Sequence, residues 1–137
     1  MSKKKIIVVD GANVAFEEKS NSGNPKVSNI KAVHQALKEK GFEPVIIIDA
    51  ALQYKIDDKQ QLEQLIDEQI IRQAPAGTDA DYFILETAKE HKAKIVTNDK
   101  YNDYQAEYPW IEESRVPLMI INGEVELYEN GAEIKAE

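Results

Sequence analysis

Three short apolar runs, each followed closely by an acidic residue, constrain the fold of this chain more than any other feature of its sequence. The runs are Lys5–Asp10, Pro44–Asp49 and Ala93–Thr97, and Asp99 stands two residues after the third. An unbroken β-branched run is typical of a strand that is buried on both faces, as in a parallel sheet covered by helices. The sequence therefore predicts an α/β layer fold built on a mainly parallel sheet.

The segments between these strands have apolar residues at helical spacing, which predicts helices there. In residues 28–40 the apolar positions recur at helical intervals, Ser28 can cap the start, and Gly41 stands where a C-terminal cap belongs. Further helices are predicted over residues 58–68, 78–91 and 98–107. Residues 70–74 fit either a strand or a continuation of the helix before them.

The last third of the chain has a different pattern. Residues 117–121 and 124–128 flank Asn122-Gly123, a dipeptide that strongly favours a β-hairpin turn. We predict that this antiparallel pair closes the sheet. We expect the polar residues 129–137 to fray and the whole chain, 1–137, to form one domain.

Composition excludes several classes of site. The chain has 137 residues and no cysteine, which rules out disulfides, thiolate zinc sites and cysteine nucleophiles and fits a cytoplasmic protein. The run Ile6–Val9 is too short for a signal-peptide core or a membrane span, so we expect no membrane partner. The formal net charge of -8 weighs against a non-specific nucleic-acid binder. However, cations bound to clustered carboxylates would reverse the local field.

Four aspartates are expected to converge at one edge of the sheet. Ligands of open parallel sheets bind beyond the carboxyl ends of the strands, where Asp10 and Asp99 are predicted to lie. Asp81 falls in the first turn of a predicted helix, and Asp103 follows Asp99 by four residues, on the same face of a helix. Converging carboxylates raise one another's pKa unless a hard cation such as Mg²⁺ or Mn²⁺ lies between them. Such an ion activates water for attack at phosphorus.

The same acids have a structural interpretation. Acids at helix starts complement the helix dipole, which could account for Asp81, Asp99 and Asp103. Thr78 and Asp81 are spaced like a capping box, and Asp79 fits a helix end better than a ligand. From the residues alone, both interpretations stay open.

Two polar or aromatic features lie near these acids. Asn13, just past the first strand, suits the positioning of a water or of a metal-bound aspartate. Trp110 and Tyr108 could stack on nucleic-acid bases, but a partly buried aromatic corner fits the pattern better.

Three segments resemble, in order, the motifs of a known nuclease group. Val9–Val14 (VDGANV), Asp81–Leu85 (DYFIL) and Ile95–Asp103 (IVTNDKYND) resemble the NYN branch of the PIN-like ribonucleases, most closely the Regnase-type catalytic domain. The resemblance covers nearly the whole chain and implies a three-layer PIN-like, Rossmannoid fold. It also implies Mg²⁺- or Mn²⁺-dependent endonucleolytic cleavage of single-stranded RNA. The residues carried over are Asp10, Asp81, Asp99 and Asp103 as metal ligands, with Asn13 in a supporting role.

The sequence departs from that pattern in two respects. Regnase-type domains have two adjacent acids where this chain has Ala80-Asp81, so Asp79 is a possible additional acid. They also carry a zinc finger, which a chain without cysteine cannot form. The candidate RNA-binding residues are Lys19, Lys26, Lys100 and Arg115, and a homodimer would lengthen the short groove of so small a domain.

Two alternatives come from other functional classes. A catalytically silent PIN-like module would bind RNA or a protein partner without cleaving it. An aspartate-nucleophile phosphatase also begins with a strand that ends in Asp. That class would place a second acid two residues after Asp10, where this chain has Ala12.

Overall fold

A five-stranded parallel sheet forms the centre of the computed structural model, which describes residues 4–18, 23–129 and 131–136. The spatial order of the strands is β3-β2-β1-β4-β5, and every neighbouring pair is parallel. The strands are β1 (Lys5–Asp10), β2 (Phe42–Ile48), β3 (Ile71–Gln73), β4 (Ile95–Val96) and β5 (Arg115–Val116). The predicted α/β fold with a parallel sheet is confirmed.

In the described residues, five α-helices and two 3-10 helices accompany these strands. They are α1 (Gly11–Ala15), α2 (Val27–Glu39), α3 (Lys59–Asp67), α4 (Ala80–His91), α5 (Ile111–Ser114) and the 3-10 helices Ala50–Tyr54 and Asn102–Tyr104. Among the helices in the described parts of the chain, none combines the length and the hydropathy needed to cross a membrane.

Side chains of the central strands alternate between two hydrophobic cores. Ile7 and Val9 of β1 pack into the core that contains Leu37 of α2. Val8, between them, packs into the core that contains Leu85 of α4. All five of these side chains are fully buried. Because successive residues of a strand face opposite sides, the sheet is sandwiched between two helical layers.

The C-terminal strands form a separate antiparallel sheet of β6 (Leu118–Ile121), β7 (Glu124–Glu129) and β8 (Ala132–Glu133). The hairpin is confirmed: Asn122 and Gly123 both have positive φ, 51° and 80°, as a type I′ turn requires. Its predicted place was wrong, because the pair does not close the parallel sheet. Leu118 and Leu127 instead pack against the core on the α2 side.

The described part of the C-terminal segment packs against the rest of the fold. Ile134 is buried, and its backbone N–H donates to the Leu127 carbonyl at 2.9 Å. The Ala136 N–H donates to the Lys40 carbonyl at 3.1 Å. Residues 131–136 therefore contact the rest of the fold through one buried apolar residue and two backbone hydrogen bonds.

Helix starts follow tertiary contacts more closely than the local sequence signals. Ser28 does not cap α2; the Asp57 carboxylate, 30 residues away, accepts the Val27 N–H at 2.9 Å. Asp79 rather than Thr78 caps α4. The ambiguous segment 70–74 contains the strand β3.

The helix predicted over residues 98–107 was wrong. The Asp99 carboxylate accepts the Tyr101 N–H at 2.8 Å, and Tyr101 adopts a left-handed backbone with a φ of 50°. Local bonds of this kind from Asp compete with helix formation. Only the short 3-10 helix 102–104 forms in this segment.

Candidate metal centre

Three of the four predicted aspartates meet at the carboxyl edge of the sheet. The chain builds the sheet to one side of β1 and then to the other, so the order of strands reverses between β1 and β4. Such a switch point opens a crevice at the carboxyl ends of the strands. Asp10 ends β1, Asp99 follows β4, and Asp81 lies in the first turn of α4. One carboxylate oxygen from each of the three lies within 4.8 Å of the others.

Asp10 is the most firmly fixed member of this group, and only 6% of its surface is exposed. Its Oδ2 accepts the Tyr101 hydroxyl at 2.6 Å and the Thr97 hydroxyl at 3.1 Å, and its Oδ1 accepts the Asn13 N–H at 3.3 Å. Burial raises the pKa of Asp10, although the bonds from Tyr101, Asn13 and Thr97 oppose this shift. These donors stabilise the ionised carboxylate and hold it in one orientation.

The three carboxylates have no cationic partner in the described residues, since no ion pair there includes any of them. Burial, followed by the negative charges of Asp10 and Asp99, raises the pKa of Asp81 to about 6. An oxygen-only donor set with uncompensated negative charge fits a hard divalent cation such as Mg²⁺ or Mn²⁺. The residues present therefore suit the ion that the sequence predicts.

Because the negative charges of Asp10 and Asp99 repel that of Asp81, we expect Asp81→Asn to stabilise the metal-free protein. The folded-state pKa of Asp81 is raised to about 6, so wild-type stability is lost as the pH rises through that value. After allowance for solvent screening, the gain at pH 7 should be about 1 kcal/mol, or about 3–5 °C in Tm. Thermal unfolding in EDTA measures it, with the exposed Asp67→Asn as control. The gain should vanish near pH 4, and a lower Tm for Asp81→Asn at pH 7 would contradict this repulsion.

Asp99 is exposed but held by its own loop. Its N–H donates to the Thr97 hydroxyl at 3.0 Å, and its Oδ1 accepts the Tyr101 N–H at 2.8 Å. Thr97 thus bonds both Asp10 and the backbone of Asp99. One short segment after β4 therefore sets the positions of two of the three carboxylates.

Asn13 and Asn98 tie this loop to the rest of the site. The Asn13 side-chain oxygen accepts the Asn98 N–H at 2.9 Å. The Asn98 amide in turn bonds both the N–H and the carbonyl of Leu118, each at 2.9 Å, and donates to Glu17 at 2.8 Å. The Asn13 side chain thus bonds the loop that carries Asp99.

Thr97, Asn98 and Tyr101 form positioning contacts that sequence analysis did not assign. All three lie in the segment Ile95–Asp103 that carries the family resemblance. Their polarity directly after a buried strand was the available signal. Tyr101 and Asp10 are 91 residues apart in sequence, so local spacing could not show the bond between them.

The remaining predicted acids lie outside the three-carboxylate group. Asp103 is exposed and was expected to join through the helix that does not form. Asp79 caps α4 by accepting the Asp81 N–H at 3.0 Å, and it also accepts the Tyr104 hydroxyl, which raises the pKa of Tyr104 to about 12. Asp79 therefore has the helix-end role that its position indicated.

The four basic residues predicted to bind RNA do not share one location or environment. Lys100 is exposed beside Asp99. Lys26 pairs with Glu18 at 3.2 Å. Arg115 pairs with Glu112 at 3.5 Å and lies opposite Ile95 at the start of β4, away from the carboxyl edge. Lys19 lies outside the described residues.

Gly11 is required by the close approach of two elements behind Asp10. A Cβ atom at this position would lie 2.5 Å from Ile48 Cγ2 and 2.9 Å from the Ile47 carbonyl oxygen. Only glycine therefore lets α1 begin directly against β2 while Asp10 caps that helix.

This parallel sheet with a carboxylate group at its switch point has the architecture of the PIN-like nucleases. The chain belongs to the Zc3h12a-like ribonuclease NYN domain family, whose model matches residues 3–129. It is therefore an NYN-type domain, and the family resemblance predicted from the motifs is confirmed.

Two solved structures share this fold, and one curated protein matches most of the chain in sequence. Two structures of nuclear protein-only RNase P 2 from Arabidopsis thaliana superpose with a TM-score of 0.71 at 21% and 22% identity. They match 98% and 96% of this chain and 31% of the Arabidopsis chain in each case. An uncharacterised protein of Methanocaldococcus jannaschii is 26% identical over 130 residues, which are 90% of this chain and 25% of the relative. The chain thus spans less than a third of the length of these proteins.

Proposed function

We propose that this chain is a Mg²⁺- or Mn²⁺-dependent endoribonuclease that hydrolyses phosphodiester bonds of single-stranded RNA. The observation that carries the proposal is the group of three carboxylate oxygens within 4.8 Å of one another. Asp10, Asp81 and Asp99 would hold the ion. When bound, it would supply a water activated at neutral pH and positive charge beside the scissile phosphate.

The protein's own residues have distinct parts in this proposal. Asp10 contributes a buried carboxylate whose orientation Tyr101 and Thr97 fix, and Asn13 holds the loop that carries Asp99. Exposed Asp99 faces the approaching RNA, whereas Asp103 lies outside the three-carboxylate group. We therefore expect cleavage to be most sensitive to Asp10 and Asp99 and least sensitive to Asp103.

Endonucleolytic cleavage is supported by the open position of the site. Asp99 is exposed at the edge of the sheet, so an internal phosphodiester can approach without a free RNA end. A circular single-stranded RNA distinguishes the two modes, because an exonuclease has no end to attack. We expect the circle to be converted to a linear product with Mn²⁺ and to stay intact with EDTA. A linear RNA degraded stepwise beside an intact circle would contradict this.

Calorimetric titration tests the metal site separately from catalysis. Wild-type protein should bind Mn²⁺ saturably, and Asp99→Asn should weaken this binding by at least about tenfold, because it removes one of three charged ligands. Asp67→Asn is the matched control, since Asp67 is exposed at the end of α3. Absence of saturable binding in the wild-type protein is the result expected of a silent module and would reject the proposed mechanism.

A further inference from the structure

We propose that a cleft at the C-terminal end of α4, here called the α4 cleft, binds the single-stranded RNA several nucleotides away from the scissile phosphate. This inference rests on the proposed ribonuclease function and adds a second contact site for its substrate. The cleft has a volume of about 350 Å³, within the range of ligand-binding clefts. It is lined by Ala88, Lys89, Lys92, Ala93, Trp110 and Ser114.

Two lysines give the α4 cleft a positive charge that the net charge of the chain conceals. Within the described residues, neither Lys89 nor Lys92 forms an ion pair, whereas Lys26 and Lys94 are both paired with glutamates. Unpaired ammonium groups are available to neutralise phosphates, and this supplies most of the sequence-independent affinity for nucleic acid. The charge of the cleft therefore fits the RNA backbone.

Trp110 supplies an aromatic surface in the same cleft. The indole is partly exposed and meets the buried Tyr108 ring edge-on, with centroids 5.6 Å apart. The hydroxyl of Tyr108 donates to Glu86 at 2.6 Å, which anchors the ring on which Trp110 rests. A fixed, partly exposed indole beside cations is the combination on which single-stranded bases stack. The structure thus separates the two aromatics: Tyr108 is structural, whereas Trp110 is placed to bind.

A row of aromatic rings connects the α4 cleft with the acidic centre. From Trp110 the row continues through Tyr108 to Tyr104, with 6.3 Å between the two tyrosine centroids. The Tyr104 hydroxyl donates to Asp79, two residues before Asp81. The row therefore marks a path along α4 from the acidic end of the helix to its basic end.

The length of α4 sets the spacing between the two sites. Lys89 follows Asp81 by eight residues in the same helix, which corresponds to a distance of about 12 Å along the axis. At about 3.4 Å per stacked nucleotide, this spans about four nucleotides. An RNA of eight nucleotides can therefore occupy the cleft and the acidic centre together.

Tryptophan fluorescence tests the α4 cleft directly, because Trp110 is the only tryptophan in the chain. The cleavage-deficient Asp99→Asn variant in EDTA is titrated with octauridylate. We expect saturable quenching by the RNA. The double variant Lys89→Ala/Lys92→Ala should bind the RNA at least about tenfold more weakly, and the slope of log K against log[salt] should become shallower by about 1.4. The matched control is Lys31→Ala/Lys55→Ala, two exposed lysines that form no ion pair with any residue in the described parts of the chain. Absence of quenching, or equal loss in both double variants, would overturn the proposal.

Cleavage kinetics separate this inference from the proposed function. With Mn²⁺ and the octanucleotide, Lys89→Ala/Lys92→Ala should raise KM about tenfold and leave kcat unchanged, because the cleft contributes uniform binding. Cleavage by wild-type protein without any Trp110 quenching in Asp99→Asn would reject the cleft and keep the proposed function. Quenching without cleavage by the wild-type protein would support the cleft and reject the ribonuclease mechanism.

Discussion

Asp10→Asn is expected to lower Mn²⁺-dependent cleavage of single-stranded RNA by at least about 10³-fold, since it removes a metal ligand worth several kcal/mol at the transition state. The amide has nearly the same shape as the carboxylate, and its oxygen can still accept the Tyr101 hydroxyl, but its NH2 group cannot accept the Asn13 N–H. Burial already opposes ionisation of Asp10, which offsets the loss of this long bond, so the metal-free fold should lose little stability. Initial rates on a labelled oligonucleotide, with thermal unfolding in EDTA beside them, measure both effects.

Asp67→Asn is the control for this substitution. It removes the same charge from an exposed position at the end of α3, so its cleavage rate should stay within about twofold of wild type, the range of a neutral surface change. Retention of more than a tenth of the wild-type rate by Asp10→Asn would be incompatible with a metal ligand at this position.

Tyr101→Phe is expected to lower cleavage about 10- to 100-fold, the usual cost of losing a residue that orients a metal ligand. The change removes the hydroxyl that lies 2.6 Å from Asp10 Oδ2 and leaves Thr97 as the remaining side-chain donor to that oxygen. The phenyl ring still fills the buried position of Tyr101. The effect should appear as weaker Mn²⁺ binding, with the KM for RNA at saturating Mn²⁺ unchanged.

Tyr104→Phe is the matched control for the loss of a hydroxyl. The Tyr104 hydroxyl bonds Asp79 at the cap of α4 and does not bond the three carboxylates. Its removal should leave Mn²⁺ binding within about threefold of wild type, as for other changes away from metal ligands. Equal losses in the two variants would show that Tyr101 acts only through the stability of the fold.

The sequence predicts the central strands well because their burial on both faces leaves a clear apolar pattern. β1 and β2 form where that pattern lies, and the hairpin turn forms at Asn122-Gly123. The helix over residues 98–107 does not form, because Asp99 bonds the Tyr101 N–H and Tyr101 turns left-handed. Helical spacing says nothing about this local competition between side chain and backbone.

The same difference between local pattern and long-range contact decides which parts of the site could be predicted. Asp10, Asp81 and Asp99 could be predicted to meet, because the carboxyl ends of parallel strands and the start of the neighbouring helix share one edge. Asp103 was added on helical spacing and lies outside the group in the structure. The contacts of Thr97 and Tyr101 with Asp10 join residues 87 and 91 positions apart. Only the folded chain brings those residues together.

A crystal structure of the protein soaked in Mn²⁺, with anomalous scattering to locate the ion, would show whether the three carboxylates hold a divalent cation. We expect an anomalous peak at about 2 Å from carboxylate oxygens of Asp10 and Asp99, the usual distance for a small hard cation, and we expect this peak to be lost in Asp10→Asn. A peak at other residues, or no peak at a Mn²⁺ concentration that saturates RNA cleavage, would contradict a metal site at these carboxylates.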